Sequence, residues 1–127
     1  MAETDLETLR PAPDWDAAAH ADAVETLGTA ELTYHVWTAD WCPDCREQVP
    51  AFAAALDAAG VDPSAVHVYP VERDDDGKYG PGMETFDVSL IPTVVVERDG
   101  EELARFEESA PRPLVVALAA ALADATE

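Results

Sequence analysis

Two cysteines three positions apart, Cys42 and Cys45, stand where an apolar run gives way to a helical pattern, and the chain has no others. The run before them, 32–39, holds Leu, Thr, Tyr, Val and Trp in near-continuous apolar order, as a buried strand does. After them, Val49, Phe52, Ala53 and Leu56 recur at helical spacing up to Gly60. A strand that passes into a helix within a few residues needs sheet neighbours, and its helix must pack back on that sheet. The cysteines fall in the turn between the two elements.

The remaining pattern extends this arrangement. Asp14 reads as the N-cap of a helix carrying Trp15, Ala18, Ala19, Ala23, Val24 and Leu27, with Gly28 as its stop. A second strand is expected at 66–71 and a charged, glycine-containing loop at 72–82, with a short helix around 83–86. Residues 93–97 and 102–106 form strands joined through Asp99-Gly100, a favourable hairpin turn. Pro111 and Pro113 open a last apolar helix that runs to about Ala123. Pro50 lies inside the second helix, where its ring opposes the carbonyl of Arg46 and should kink the helix. The expected class is α/β, a central mixed β-sheet flanked by helices on both faces. It forms one domain over 14–127, preceded by an extended arm over 1–13.

Charge excludes several function classes. The 127 residues carry 7 basic and 27 acidic side chains, a net −20. Such a surface repels nucleic-acid phosphate and anionic lipid, so neither is an expected partner. No apolar run approaches the roughly 20 residues a bilayer requires, and the first ten residues lack the basic start and apolar core of a secretory leader. A soluble, cytoplasmic monomer is expected. The acids are spread along the whole chain, lysine occurs once, at Lys78, and asparagine is missing. This composition resembles that of proteins from salt-accumulating halophiles, in which molar salt screens the self-repulsion. The thermal midpoint should therefore climb from low to molar potassium chloride, and a flat or falling series in a thermal melt would remove the halophile inference.

At the start of a helix, unpaired backbone N–H groups and the positive end of the dipole favour an anion, here the Cys42 thiolate. A thiolate attacks a disulfide sulfur, and Cys45, one turn on, can resolve the mixed disulfide. Cys42 is thus expected as the exposed attacker and Cys45 as the more buried resolver, with Pro43 limiting the turn between them. Asp44 is either a solvated first-turn residue or a carboxylate that opposes the thiolate. Other uses of the pair stay open. Half a zinc site is one, although His20, His35 and His67 lack finger spacing. A structural disulfide closing a very short loop is another, and a subunit-bridging iron–sulfur cluster a third. No metal or organic cofactor is expected for the redox reading.

Trp41-Cys42-Pro43-Asp44-Cys45 resembles the Trp-Cys-Gly-Pro-Cys signature of the thioredoxin family, with Pro-Asp in place of Gly-Pro. Pro50, five residues after Cys45, matches the family's proline in the active-site helix. Ile91-Pro92-Thr93 is similar to the segment whose proline is cis and faces the cysteines, and Gly100 to the turn glycine between the last two strands. Cys-Pro-x-Cys resembles glutaredoxin centres as well. The resemblance covers about Leu32 to the C-terminus. It implies a thioredoxin-like fold and a thiol–disulfide oxidoreductase in which Cys42 and Cys45 react. Substrate would lie against Trp41, Pro43, Asp44, Ile91, Pro92 and Thr93. The implied partners are disulfide-containing proteins or small thiols, with a thiol reductase as electron donor.

Departures from the family are specific. Val36 stands where a buried aspartate usually lies, six residues before the first cysteine. Leu90 and Glu108 replace glycines near the substrate groove, and the family's first strand is not evident. A non-catalytic binding or regulatory module on the same fold is the competing class. Trp15, Trp37 and Phe86 are expected in the core, His35 and His67 as satisfied strand residues, and Asp74-Asp75-Asp76 as a solvated loop.

Overall fold

β1 (Leu32–Thr38) is the strand on which the rest is organised. It pairs in parallel with β2 (Val66–Pro70) and antiparallel with β5 (Thr93–Arg98), which pairs antiparallel with β6 (Glu101–Glu107). The sheet order is β2-β1-β5-β6, with helices α1 (Ala21–Leu27), α2 (Pro43–Ala58) and α3 (Leu114–Thr126) packed on it. The computed structural model describes residues 12, 14–28, 31–74, 77–80, 82–88, 91–107 and 114–126. Leu90, Glu108, Pro111 and Pro113 lie outside the described residues, as do Asp75, Asp76 and all of the 1–13 arm but Ala12.

The expected α/β class, a mixed sheet flanked by helices, is the observed one. Helices were expected on both faces, and among the described residues that part of the expectation changes. α1 packs against α2 and α3, and α2 against α3, so the described helices share one face. Strand pairing assigns that face Tyr34, Val36, Val94, Val96, Ala104 and Phe106, all buried. Tyr34 meets Phe52 of α2 edge-on at 6.0 Å, and its hydroxyl donates to the Leu27 carbonyl at 2.6 Å, where α1 ends. Burial raises the pKa of that phenol.

The opposite face is aromatic. His35 and Trp37 of β1 stack with Tyr69 of β2 at ring distances of 5.8 and 4.5 Å, and Phe86 closes over them. Expected as a short helix, residues 83–86 instead belong to a run of turns over 82–87. There the Val88 N–H reaches back to the Met83 carbonyl at 2.7 Å. Arg105 of β6 fixes this run by donating to the Phe86 carbonyl at 2.7 Å and the Asp87 carbonyl at 3.3 Å. Gly82 holds a φ of +77° with its α-carbon turned toward Trp37, where a Cβ would lie 3.4 Å from the indole. His35 is buried and satisfied, its Nδ1 at 2.9 Å from the Tyr69 hydroxyl and its Nε2 at 2.7 Å from Glu97.

Two local expectations change. The first helix begins as a 3-10 turn at Ala18–His20, and Asp16, not Asp14, accepts the Ala19 N–H at 3.2 Å. Residues expected as a loop at 72–82 contain a small antiparallel pair, β3 (Glu72–Asp74) and β4 (Gly77–Tyr79), with Gly77 at φ +122°. Charge masked that hairpin, because neither strand has the apolar alternation of a buried one. α2 runs from Pro43 through Pro50 to Ala58, then closes with Gly60 at φ +72°, whose N–H and that of Val61 return to Asp57 and Leu56. The Pro50 carbonyl accepts the Ala12 N–H at 3.0 Å, which ties the chain just before α1 to the middle of α2.

Candidate active site

The end of β1 delivers the chain to the dithiol. Thr38 is the last strand residue, and its carbonyl accepts the Val71 N–H at 3.0 Å, so the chain leaving β2 is held beside the chain leaving β1. Ala39 then accepts the Cys42 N–H at 3.3 Å, which closes the turn. Cys42 is the N-cap of α2 in an extended conformation, with Pro43 in the first turn, where a missing N–H costs nothing. The Cys42 sulfur accepts the Cys45 N–H at 3.4 Å, as a capping oxygen would. The cysteine expected just inside the helix therefore caps it instead.

Both cysteines are free thiols and both are buried, Cys42 at 6% exposure and Cys45 at none. Cys42 was expected as an exposed attacker, and this narrow opening corrects that expectation. The turn folds Ile91 over it, and the Cys42 thiol donates to the Ile91 carbonyl at 3.8 Å. The Ile91–Pro92 peptide is cis, and Ile91, Pro92 and Thr93 are all buried. Thr93 opens β5 in register with Trp37, so its side chain belongs to the aromatic face. Pro43 is exposed and Asp44 half-buried at the rim.

Burial pushes the Cys45 thiol up to about 12. The largest opposing influence is a hydrogen bond from the Thr38 hydroxyl, joined by the Ala39 backbone, while the neighbouring Cys42 raises it further. Val36 lies two residues back on the same strand face, fully buried and without a polar group. Thr38 thus supplies polar contact where a carboxylate at position 36 could have done so. It carries no motif of its own; its shared strand face with Val36 was the available signal.

Trp41 is anchored from both sides. Its Nε1 donates to the Val71 carbonyl at 3.0 Å, and the Arg73 guanidinium carbon stands 4.5 Å from the ring centroid. Arg73 was not expected near the site, because the hairpin that carries it was expected as a loop. His20, His35 and His67 do not join the cysteines: His35 and His67 stack on each other at 5.2 Å on the aromatic face, and His20 stacks on Trp15. Among the described residues no three histidine, cysteine or acidic side chains are grouped as a metal site requires, and no helix is long and apolar enough to cross a membrane.

Comparison with solved structures returns matches of low identity. The crystal structure of Trxlp from Edwardsiella tarda EIB202 is 23% identical, covers 89% of this chain and 96% of its own, and superposes with a TM-score of 0.49. PA1234 from Pseudomonas aeruginosa, a protein of unknown function, is 21% identical over 86% of this chain and 74% of its own, with a TM-score of 0.47. No curated protein matches the sequence. The thioredoxin family model matches residues 7–122, nearly the whole chain. With that match over a mixed sheet whose first strand runs into a cysteine-capped helix, the chain belongs to the thioredoxin family.

Proposed function

We propose that this protein is a thiol–disulfide oxidoreductase that reduces protein or small-molecule disulfides through Cys42 and Cys45. The observation that carries the reading is the Cys42 sulfur at the N-cap of α2, 3.4 Å from the Cys45 N–H. The Cys42 thiolate attacks one sulfur of the substrate, the substrate S–S bond breaks, and the departing thiolate takes up a proton. Cys45, once deprotonated, attacks the Cys42 sulfur and releases the second thiol. Two electrons pass to the substrate, and a Cys42–Cys45 disulfide remains for a thiol reductase or small thiol to reduce. Substrate lies against Trp41, Pro43 and Asp44 on one side and the Ile91–Pro92–Thr93 segment on the other, where the Ile91 backbone beside Cys42 is the part an extended peptide can pair with. No organic cofactor enters the cycle. In this reading the protein works as a monomer in a salt-rich cytoplasm, consistent with acids spread along the whole chain.

Cys45→Ser is the direct test. The variant should stay covalently linked to its substrates through Cys42 after non-reducing electrophoresis, and iodoacetamide at pH 7 should label Cys42 before Cys45 in the reduced protein. Failure of the wild type to reduce insulin disulfides with a thiol donor would favour a non-catalytic module. A coloured protein from anaerobic purification would favour cluster carriage.

A further inference from the structure

We propose that Arg73 selects disulfide substrates bearing a carboxylate close to the sulfur, with the guanidinium over Trp41 as the counter-charge. This inference rests on the dithiol reading above and names its substrate class.

The argument begins with scarcity. Seven cations face 27 acids in this chain, yet Arg46 directly follows Cys45 in α2 and Arg73 stacks on Trp41, the residue before Cys42. Arg46 is exposed in the first turn of α2, its N–H bonded to the Cys42 carbonyl at 3.0 Å. Arg73 is exposed on β3, two residues after the Val71 carbonyl that holds the Trp41 indole. Arg105, by contrast, spends its donors on the Phe86 and Asp87 carbonyls and on Glu102.

Stacking decides what Arg73 can still do. A guanidinium over an indole uses its flat face, while its five N–H groups point outward in the plane, in the fork that fits a carboxylate. Among the described residues no hydrogen bond or ion pair to the Arg73 side chain accompanies the Trp41 contact. Trp41 precedes Cys42, and the guanidinium stacked on it gives the Trp41 side of the dithiol a cation. Asp44, half-buried at the rim after Pro43, repels an anion at the helix start. The Trp41 side is therefore the one on which a substrate carboxylate is accepted, and the surrounding negative surface makes a local cation decisive there.

The test uses the full chain at the lowest potassium chloride concentration that keeps it folded by circular dichroism. Rate constants for reduction of the dianionic 3,3′-dithiodipropionate and the neutral 2-hydroxyethyl disulfide are compared in wild type, Arg73→Ala and Arg73→Lys. The anion-to-neutral ratio should fall about three- to fivefold in Arg73→Ala, the scale of an exposed ion pair. Arg73→Lys should restore part of it, and the gap between the wild-type and Arg73→Ala ratios should shrink as salt is added. A ratio unchanged by Arg73→Ala, whether both rates fall together or neither does, overturns the inference and leaves Arg73 a support for Trp41. Wild type inert toward both disulfides overturns the dithiol reading itself.

Discussion

Replacing Cys42 with serine is expected to lower disulfide reduction by roughly a thousandfold or more, the scale of losing a nucleophile. A serine hydroxyl could still cap α2, so the fold should survive and the loss should be chemical. Of the two cysteines, only Cys42 has any exposure, and its sulfur sits at the helix end with the Ile91 carbonyl before it. Cys45 lies one turn inside, out of reach of an incoming disulfide. The companion Cys45→Ser should therefore complete the first attack and stall after one turnover. Insulin turbidity together with circular dichroism separates the cases. A folded Cys42→Ser protein retaining wild-type rate would reverse the assignment.

Resolution of the mixed disulfide should show the second large effect, a steep dependence on pH. With the Cys45 thiol pushed up to about 12, its thiolate fraction rises roughly tenfold per pH unit through the neutral and mildly alkaline range. Stopped-flow measurement of the intramolecular step from pH 7 to 10 should follow that slope. Thr38→Val removes the main hydrogen bond favouring the thiolate and should slow the step at each pH. Val36→Asp should quicken it while destabilising the fold by ~2–4 kcal/mol, the scale for burying an unpaired polar group. A pH-independent rate, equal in all three proteins, would falsify the missing-base argument. Linkage fixes the sign for stability as well. A thiol whose folded pKa lies above its ordinary value of 9.0 contributes stability that is full below that value and is lost as pH rises toward about 12. Reduced protein should accordingly be more alkali-sensitive than Cys45→Ala.

Much of this architecture is legible along the chain because it rests on backbone punctuation. The apolar run of β1, the Asp99-Gly100 turn and the spacing of Pro50 from Cys45 each constrain a local conformation, and the elements fall where those residues place them. The unread parts depend on partners distant in sequence. Arg105 determines the shape of 82–88 by binding two of its carbonyls, and nothing near residue 86 announces an arginine nineteen positions on. The β3–β4 pair is short and charged and adjoins Trp41 through a single stacked guanidinium. Thr38 is faint for a different reason: its one signal is the strand face it shares with Val36, a threonine at a strand end is common, and burial beside Cys45 is what gives its hydroxyl a use.

The alternation of β1 turns the sheet into a partition between two chemical rooms. On one side lie the dithiol, Thr38 and the aliphatic and helical layer; on the other, His35, Glu97, Tyr69 and the stacked rings. His35 bonds Tyr69 and Glu97 on the aromatic side, while the Thr38 hydroxyl bonds Cys45 on the dithiol side. Substitutions in the aromatic room should thus add to those at the dithiol with little cross-talk. A lineage of such proteins could retune its acid–base face for a new habitat while leaving its redox chemistry as it was.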